Sequence, residues 1–269
     1  MKKGISIHIG LDYEGTLESC IKDALDMQEI AISQNFETTY LLQNEEATCD
    51  TLKELITTAS KTLVSGDMLF ISYSGHGTYV VDSSEDGDEE QDQVWCLYDR
   101  YLLDDELYAL WTLFEEGVRI FVVSDSCYSG TVIRAAPSFK AAPISKYFPH
   151  EKAQEVYVQN KSLFSALKAE LSESKKQEVK ASVKLLAGCQ DTEESFIAPD
   201  AENSLLTFEI NKVWDAGQFV GTTLEFFDKV KEQVMMEAER IDRKQTPNLY
   251  TIGKENEAFD KQRPFSIYE

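Results

Sequence analysis

Short apolar, β-forming runs alternate along this chain with stretches whose apolar residues recur at helical spacing. That alternation constrains the fold more than any other feature, because it demands a largely parallel sheet with helices packed on both faces. Ile5 to Ile9, Thr38 to Leu42, Leu69 to Tyr73, Ile120 to Val123 and Ala181 to Cys189 read as strands. Between the first two, Leu17, Cys20, Ile21, Ala24, Gln28, Ala31 and Ile32 fall near one face of a helix. Leu52, Leu55, Ile56, Ala59 and Leu63 form a second stripe, ended by Ser65-Gly66. Asp104 is placed to cap a helix carrying Leu107, Leu110, Trp111 and Phe114. Helices over Leu205 to Trp214 and Leu224 to Arg240 follow, with Asn248 to Ile252 as a short edge segment.

Two of the strands end in residues that carry chemistry. Leu69-Phe-Ile-Ser-Tyr-Ser-Gly-His-Gly-Thr78 delivers His76 between two glycines, and Ile120-Phe-Val-Val-Ser-Asp-Ser-Cys-Tyr-Ser-Gly130 delivers Cys127. Loops at the carboxyl ends of buried parallel strands are where open α/β sheets build their sites. A thiol and an imidazole there suggest nucleophilic catalysis, with backbone N–H groups, most naturally those of Gly77 and Cys127, to hold an oxyanion. A cysteine after a strand is by itself more often a small buried hydrophobe. The chain has only three histidines, however, and His76 alone lies between glycines at a strand end. His8 reads as a sheet residue and His150 as a loop residue.

The chain has 269 residues, 42% of them hydrophobic, which suffices for one full core, so residues 1–269 are expected to form one domain. No run of about 18 apolar residues occurs, so no membrane association and a cytoplasmic location are expected. A net charge of −22 excludes the basic footprint that nucleic-acid binding requires and would attract cationic substrates. Cys20, Cys49, Cys96, Cys127 and Cys189 show neither CxxC pairs nor metal-ligand spacing, which points to reduced thiols.

Two segments interrupt the rhythm. Residues 82–92 are too charged to pack and read as a solvent loop. A long insertion over about 131–180 opens with a loop to about Gln159 that holds Pro137, Pro143 and Pro149, and Asn160 to Lys175 reads as a helix closing it.

The histidine and cysteine segments, in this order and roughly 50 residues apart, resemble those of caspase-type peptidases. Tyr73-Ser-Gly-His-Gly77 and Asp125-Ser-Cys-Tyr-Ser-Gly130 are most similar to metacaspases and their prokaryotic relatives (peptidase family C14, caspase-haemoglobinase fold). Ile5-Ser-Ile-His-Ile-Gly-Leu-Asp-Tyr-Glu-Gly-Thr16, Cys20-Ile-Lys-Asp-Ala24, Asp104-Asp-Glu-Leu107 and Ala187-Gly-Cys-Gln-Asp191 extend the likeness over about residues 3–253. The resemblance implies a caspase-like three-layer α-β-α sandwich with a mostly parallel central sheet, and a monomeric cysteine endopeptidase in which Cys127 attacks and His76 manages protons.

Asp125 stands two residues before Cys127 on the same strand edge, so its carboxylate is expected in the pocket for the residue preceding the scissile bond. The resemblance adds Asp23, near Cys20, and Ser74 to that pocket. Acidic walls favour Arg, with Lys weaker because a guanidinium fork suits facing carboxylates. Protein or peptide substrates with Arg or Lys at the cleavage site are therefore expected. The resemblance also raises a calcium site at Asp92, Asp104 and Asp105, but the acidic position it needs seven residues after Cys127 is Arg134. A cation in place of an oxygen ligand disfavours Ca²⁺, so no cofactor is expected. Arg134, Lys140, Lys146 and Lys152 are candidates for a cleavage that activates a zymogen, by the enzyme itself or by an upstream protease. A caspase-like module without turnover is the alternative, and hydrolysis cannot be told from ligation by sequence.

Overall fold

A computed structural model of the protein describes residues 2–81, 92–127, 143–190, 193–198 and 201–267. Up to Cys127 the elements are β1 (Gly4–Gly10), α1 (Cys20–Ser33), β2 (Thr38–Gln43), α2 (Cys49–Thr62), β3 (Met68–Ser74), β4 (Gly77–Val80), β5 (Asp92–Cys96), β6 (Tyr101–Leu103), α3 (Asp104–Trp111) and β7 (Arg119–Asp125). After it come β8 (Ile144–Ser145), α4 (His150–Gln159), α5 (Lys161–Leu171), β9 (Ser182–Ala187), β10 (Phe196–Ile197), α6 (Leu205–Trp214), α7 (Thr223–Arg240), β11 (Asn248–Gly253) and α8 (Glu257–Lys261).

The main sheet has six strands in the order β11-β9-β7-β3-β1-β2, all parallel except the antiparallel edge strand β11. Its interior strands are buried on both faces, which is why they read as nearly unbroken apolar runs. Alternation divides their side chains between two cores. Leu69, Ile71, Ile120 and Val122 pack with α2 and α3, whereas Phe70, Phe121 and Val123 pack with α1, α6 and α7. The expected three layers, helix on sheet on helix, follow directly. Smaller sheets β4-β5-β6 and β8-β10 stand beside the carboxyl ends of the strands.

Most elements expected from the sequence are present, with instructive departures. Helix α1 starts at Cys20 rather than near Leu17, and its first N–H groups are satisfied by Asp12, whose Oδ1 accepts from Cys20 N at 2.9 Å and Ile21 N at 3.2 Å. Asp104 is the first residue of α3 and not its cap; Glu106 instead reaches back to accept the Leu103 N–H. Residues 82–91 of the acidic segment lie outside the described residues, but Asp92 begins β5 and is buried, so it does not belong to a solvent loop. The proline-bearing insertion contains a helix where a loop was expected. Pro149 stands at the N-cap of α4, a place where a missing N–H costs nothing, and Ala153 and Tyr157 then bury one face. His150 is consequently helical, its ring stacked on Tyr79 at 4.1 Å.

Candidate active site

The chain runs from β1 outward to β2 and then returns to place β3 on the other side of β1. This reversal opens a crevice at the carboxyl ends of β1 and β3. Register sets Gly10, Ser74 and Asp125 in one row across β1, β3 and β7 at that end. A side chain at Gly10 would collide with the Cys20 carbonyl, its Cβ meeting the oxygen at 2.4 Å, so glycine lets α1 lie close and bring Asp23 to the row.

Cys127 follows β7 and is fully buried. Its Sγ accepts the Ser195 N–H at 3.0 Å and lies 3.6 Å from Ser195 O and 3.8 Å from Ser145 Oγ. His76 lies in the turn between β3 and β4, half-buried. It does not hydrogen-bond to Cys127; its Nδ1 is 2.9 Å from the carbonyl oxygen of Lys146. The Gly77 N–H donates to the same oxygen at 3.2 Å. A Cβ on Gly77 would fall 2.0 Å from Cys127 O, so only glycine permits this approach. Burial holds the His76 imidazole below its ordinary range; the Lys146 carbonyl opposes this and the Lys146 charge reinforces it.

The side chain of Lys146 runs into the crevice and is wholly buried. Its Nζ lies 3.1 Å from Asp23 Oδ2 and 3.2 Å from Asp125 Oδ2, and donates to Ser74 Oγ at 2.7 Å and Asp125 O at 3.2 Å. Burial alone would drive a proton off this amine, but the carboxylates of Asp125 and Asp23 outweigh it and raise its affinity for the proton. Asp23 also accepts from Asn203 Nδ2 at 2.9 Å, Ser204 N at 3.1 Å and Ser204 Oγ at 2.7 Å. Asp125 accepts from Ser195 Oγ at 2.5 Å and from Thr207 Oγ1 at 3.3 Å, and shares the single Ser204 hydroxyl proton with Asp23. Cys20 closes the pocket as a neutral wall, burial pushing its thiol up to about 12.

Backbone pairing on both sides of Lys146 resembles that of a bound peptide. Ile144 and Ser145 pair antiparallel with Ile197 and Phe196, Lys146 N donates to Ser195 O at 3.0 Å, and Phe148 N donates to Gly77 O at 3.2 Å. The segment thus adds a strand to exposed edges, a common mode of peptide recognition.

Residues 2–136 match the family described as metacaspase, peptidase C14 domain. The chain belongs to the metacaspase family. Metacaspase-7 of Arabidopsis thaliana is 32% identical over 141 residues, 48% of this chain and 35% of that protein. Metacaspase-1A of Neurospora crassa is 31% identical over 143 residues, 46% of this chain and 31% of that protein. The chain spans about a third of the length of these curated relatives. The crystal structure of protein GSU0716 from Geobacter sulfurreducens superimposes with a TM-score of 0.80 at 33% identity, over 99% of this chain and 100% of that one. The caspase-like fold expected from the motifs is therefore the fold of this metacaspase.

Calcium does not fit the residues of this metacaspase that the resemblance indicated. Asp92 Oδ2 lies 2.6 Å from Lys168 Nζ of α5, so an ammonium already neutralises that carboxylate. Asp105 is buried and Asp104 exposed, and among the described residues no three His, Cys, Asp or Glu side chains converge to hold an ion. No helix among the described residues is long and apolar enough to cross a membrane. All five cysteines are buried, and no disulfide joins them.

Of the basic residues singled out in the insertion, Lys146 enters the pocket and Lys152 is exposed on α4. Arg134 and Lys140 lie outside the described residues. The residues that sequence reasoning missed are Ser195, Asn203, Ser204 and Thr207. Ser204 alone left a trace, as an N-cap type before α6, yet its hydroxyl makes no capping bond and serves the two carboxylates instead.

Proposed function

We propose that this chain is a cysteine endopeptidase that cleaves after Arg or Lys and is held as a zymogen by its own Lys146, with Lys146–Tyr147 as the bond whose cleavage activates it. One observation carries the reading. An ammonium sits between Asp23 and Asp125 while the carbonyl of the same residue meets Gly77 N–H and His76 Nδ1 beside Cys127.

In this mechanism the Cys127 sulfur adds to the Lys146 carbonyl carbon, and the resulting oxyanion keeps the Gly77 N–H as its donor. His76 takes the thiol proton and passes it to the Tyr147 nitrogen as the C–N bond breaks. Water then attacks the thioester, regenerating the thiol and leaving a carboxylate on Lys146. A substrate would later present Arg or Lys to the vacated carboxylates. Arg is preferred, because its planar fork can engage Asp23 and Asp125 together. A lysine in the chain's own segment holds the pocket less tightly than an arginine would, so it yields to substrate once the bond after it is cut.

The test is turnover of matched fluorogenic peptides ending in Arg, Lys or Asp by purified protein and its Cys127→Ala variant, in EGTA, with mass spectrometry of the chain before and after. Cys127-dependent turnover after Arg, accompanied by a chain cut after Lys146, is expected. Efficient cleavage after Asp, or activity of a wholly uncut chain, would contradict the assignment. Silence of the chain cut after Lys146 on all three peptides would favour a caspase-like module without turnover.

A further inference from the structure

Two phenols outside the pocket, that of Tyr73 buried and that of Tyr13 partly so, converge on the turn that carries His76. Tyr13 opens a one-turn 3-10 helix (Tyr13–Gly15) after β1, and Tyr73 is the penultimate residue of β3. The Oη of Tyr13 accepts the His76 N–H at 2.9 Å and donates to Cys96 O at 2.6 Å. The Oη of Tyr73 donates to His76 O at 2.6 Å. Each phenol has one proton, so with both spent on carbonyls the 3.1 Å contact between the two oxygens holds no proton of its own. It is an approach imposed by what lies around it. Burial raises both phenols above the ordinary tyrosine range, so they stay neutral.

The grip extends to the ring. The Tyr13 ring lies 4.6 Å from the His76 imidazole at 35°, and Phe148 meets the imidazole edge-on at 5.8 Å. Space for the phenols comes from Gly75, where a Cβ would fall 2.7 Å from Tyr73 Oη and 2.8 Å from Tyr13 Oη. Tyr13 itself adopts a φ of 47°, a region that L-residues enter at a cost and that persists only when the surroundings hold it. A core aromatic with no further role would need neither the strained backbone nor an oxygen aimed at the main chain of residue 76.

We propose that Tyr13 and Tyr73 are positioning residues for His76, fixing its backbone on both sides and, through the Tyr13 ring, the plane in which the imidazole faces the scissile carbonyl. The proposal rests on the peptidase reading for its rate consequence but not for its structural one.

The experiment therefore uses two readouts on the full chain with Tyr13→Phe and Tyr73→Phe. Each variant keeps its ring and loses one oxygen. Steady-state turnover of an Arg peptide should show kcat lowered about tenfold or more with KM within about twofold, at an unchanged fraction of sites titrated by a thiol-directed peptidyl inhibitor. In the Cys127→Ala background, the His76 Hε1 resonance should be single and sharp, and should broaden or split when Tyr13 or Tyr73 loses its oxygen. Variants with wild-type kcat and an unaltered His76 resonance overturn the proposal. If wild-type protein shows no Cys127-dependent turnover, the peptidase reading fails, and the resonance alone decides the positioning role.

Discussion

Lys146 donates its ammonium to Asp23 at 3.1 Å within a pocket that solvent does not reach. A buried charge is tolerated only while its partner remains, so removing the amine leaves Asp23 and Asp125 facing one another without a cation. Lys146→Met should lower the stability of the uncut chain by about 3 to 5 kcal/mol and abolish the cut before Tyr147. Denaturant unfolding and intact-mass measurement check both halves. A variant as stable as the parent would show that the ion pairs carry little.

Asp125→Asn keeps the size of the side chain and removes its charge. Hydrogen bonds to charged groups contribute about 1.5 to 3 kcal/mol, so kcat/KM for Arg peptides should fall roughly tenfold to a hundredfold. Unchanged kcat/KM would place the specificity elsewhere.

In the proposed mechanism, self-cleavage depends on neutral His76 accepting the Cys127 proton. Burial lowers the imidazole's proton affinity, so it stays neutral to more acid conditions than an exposed histidine. The acid limb of the cleavage rate should lie below the usual imidazole value of about 6.5. A limb at or above that value would count against His76, or against the buried geometry around it.

His8 lies in the middle of β1, fully buried, with Nδ1 2.8 Å from Ser72 Oγ, and burial lowers its pKa to about 3. The unfolded chain takes up a proton near pH 6.5 that the folded chain refuses until about pH 3. Stability from this group is thus complete above about pH 6.5 and declines as pH falls through that window, by about 1.4 kcal/mol per unit. His8→Phe should flatten this part of the stability curve, measured by urea unfolding from pH 7 to pH 4. An unaltered slope would mean that other groups set it.

The sheet could be read from the sequence because strands buried on both faces announce themselves as unbroken apolar runs, and the helices between them as stripes. The residues at the two strand ends, His76 and Cys127, were legible for the same reason, since the runs that deliver them end in small residues. Asp23, Ser74 and Asp125 came partly from strand register and partly from family likeness. Helix α4 was obscured by Pro149, which marks a helix start as readily as a loop. Ser195, Asn203 and Ser204 reach the pocket from segments far along the chain, and nothing in local spacing reveals a partner about 180 residues away. Tyr13 carries no local signal of its role, because only the folded turn shows where its oxygen points.

The parallel pairing of β7 with β9 joins a strand that precedes residue 146 to one that follows residue 147, and β11 extends the same sheet from the later part. A chain cut between those residues therefore becomes two interleaved polypeptides sharing one sheet. Its unfolding is also a dissociation, so its apparent stability falls on dilution while that of the intact chain does not. Once parted, the two pieces must find each other by diffusion before distant strands can pair. Finding its native pairings is a unimolecular event for the intact chain, whereas the nicked one has a memory of its assembly that dilution erases.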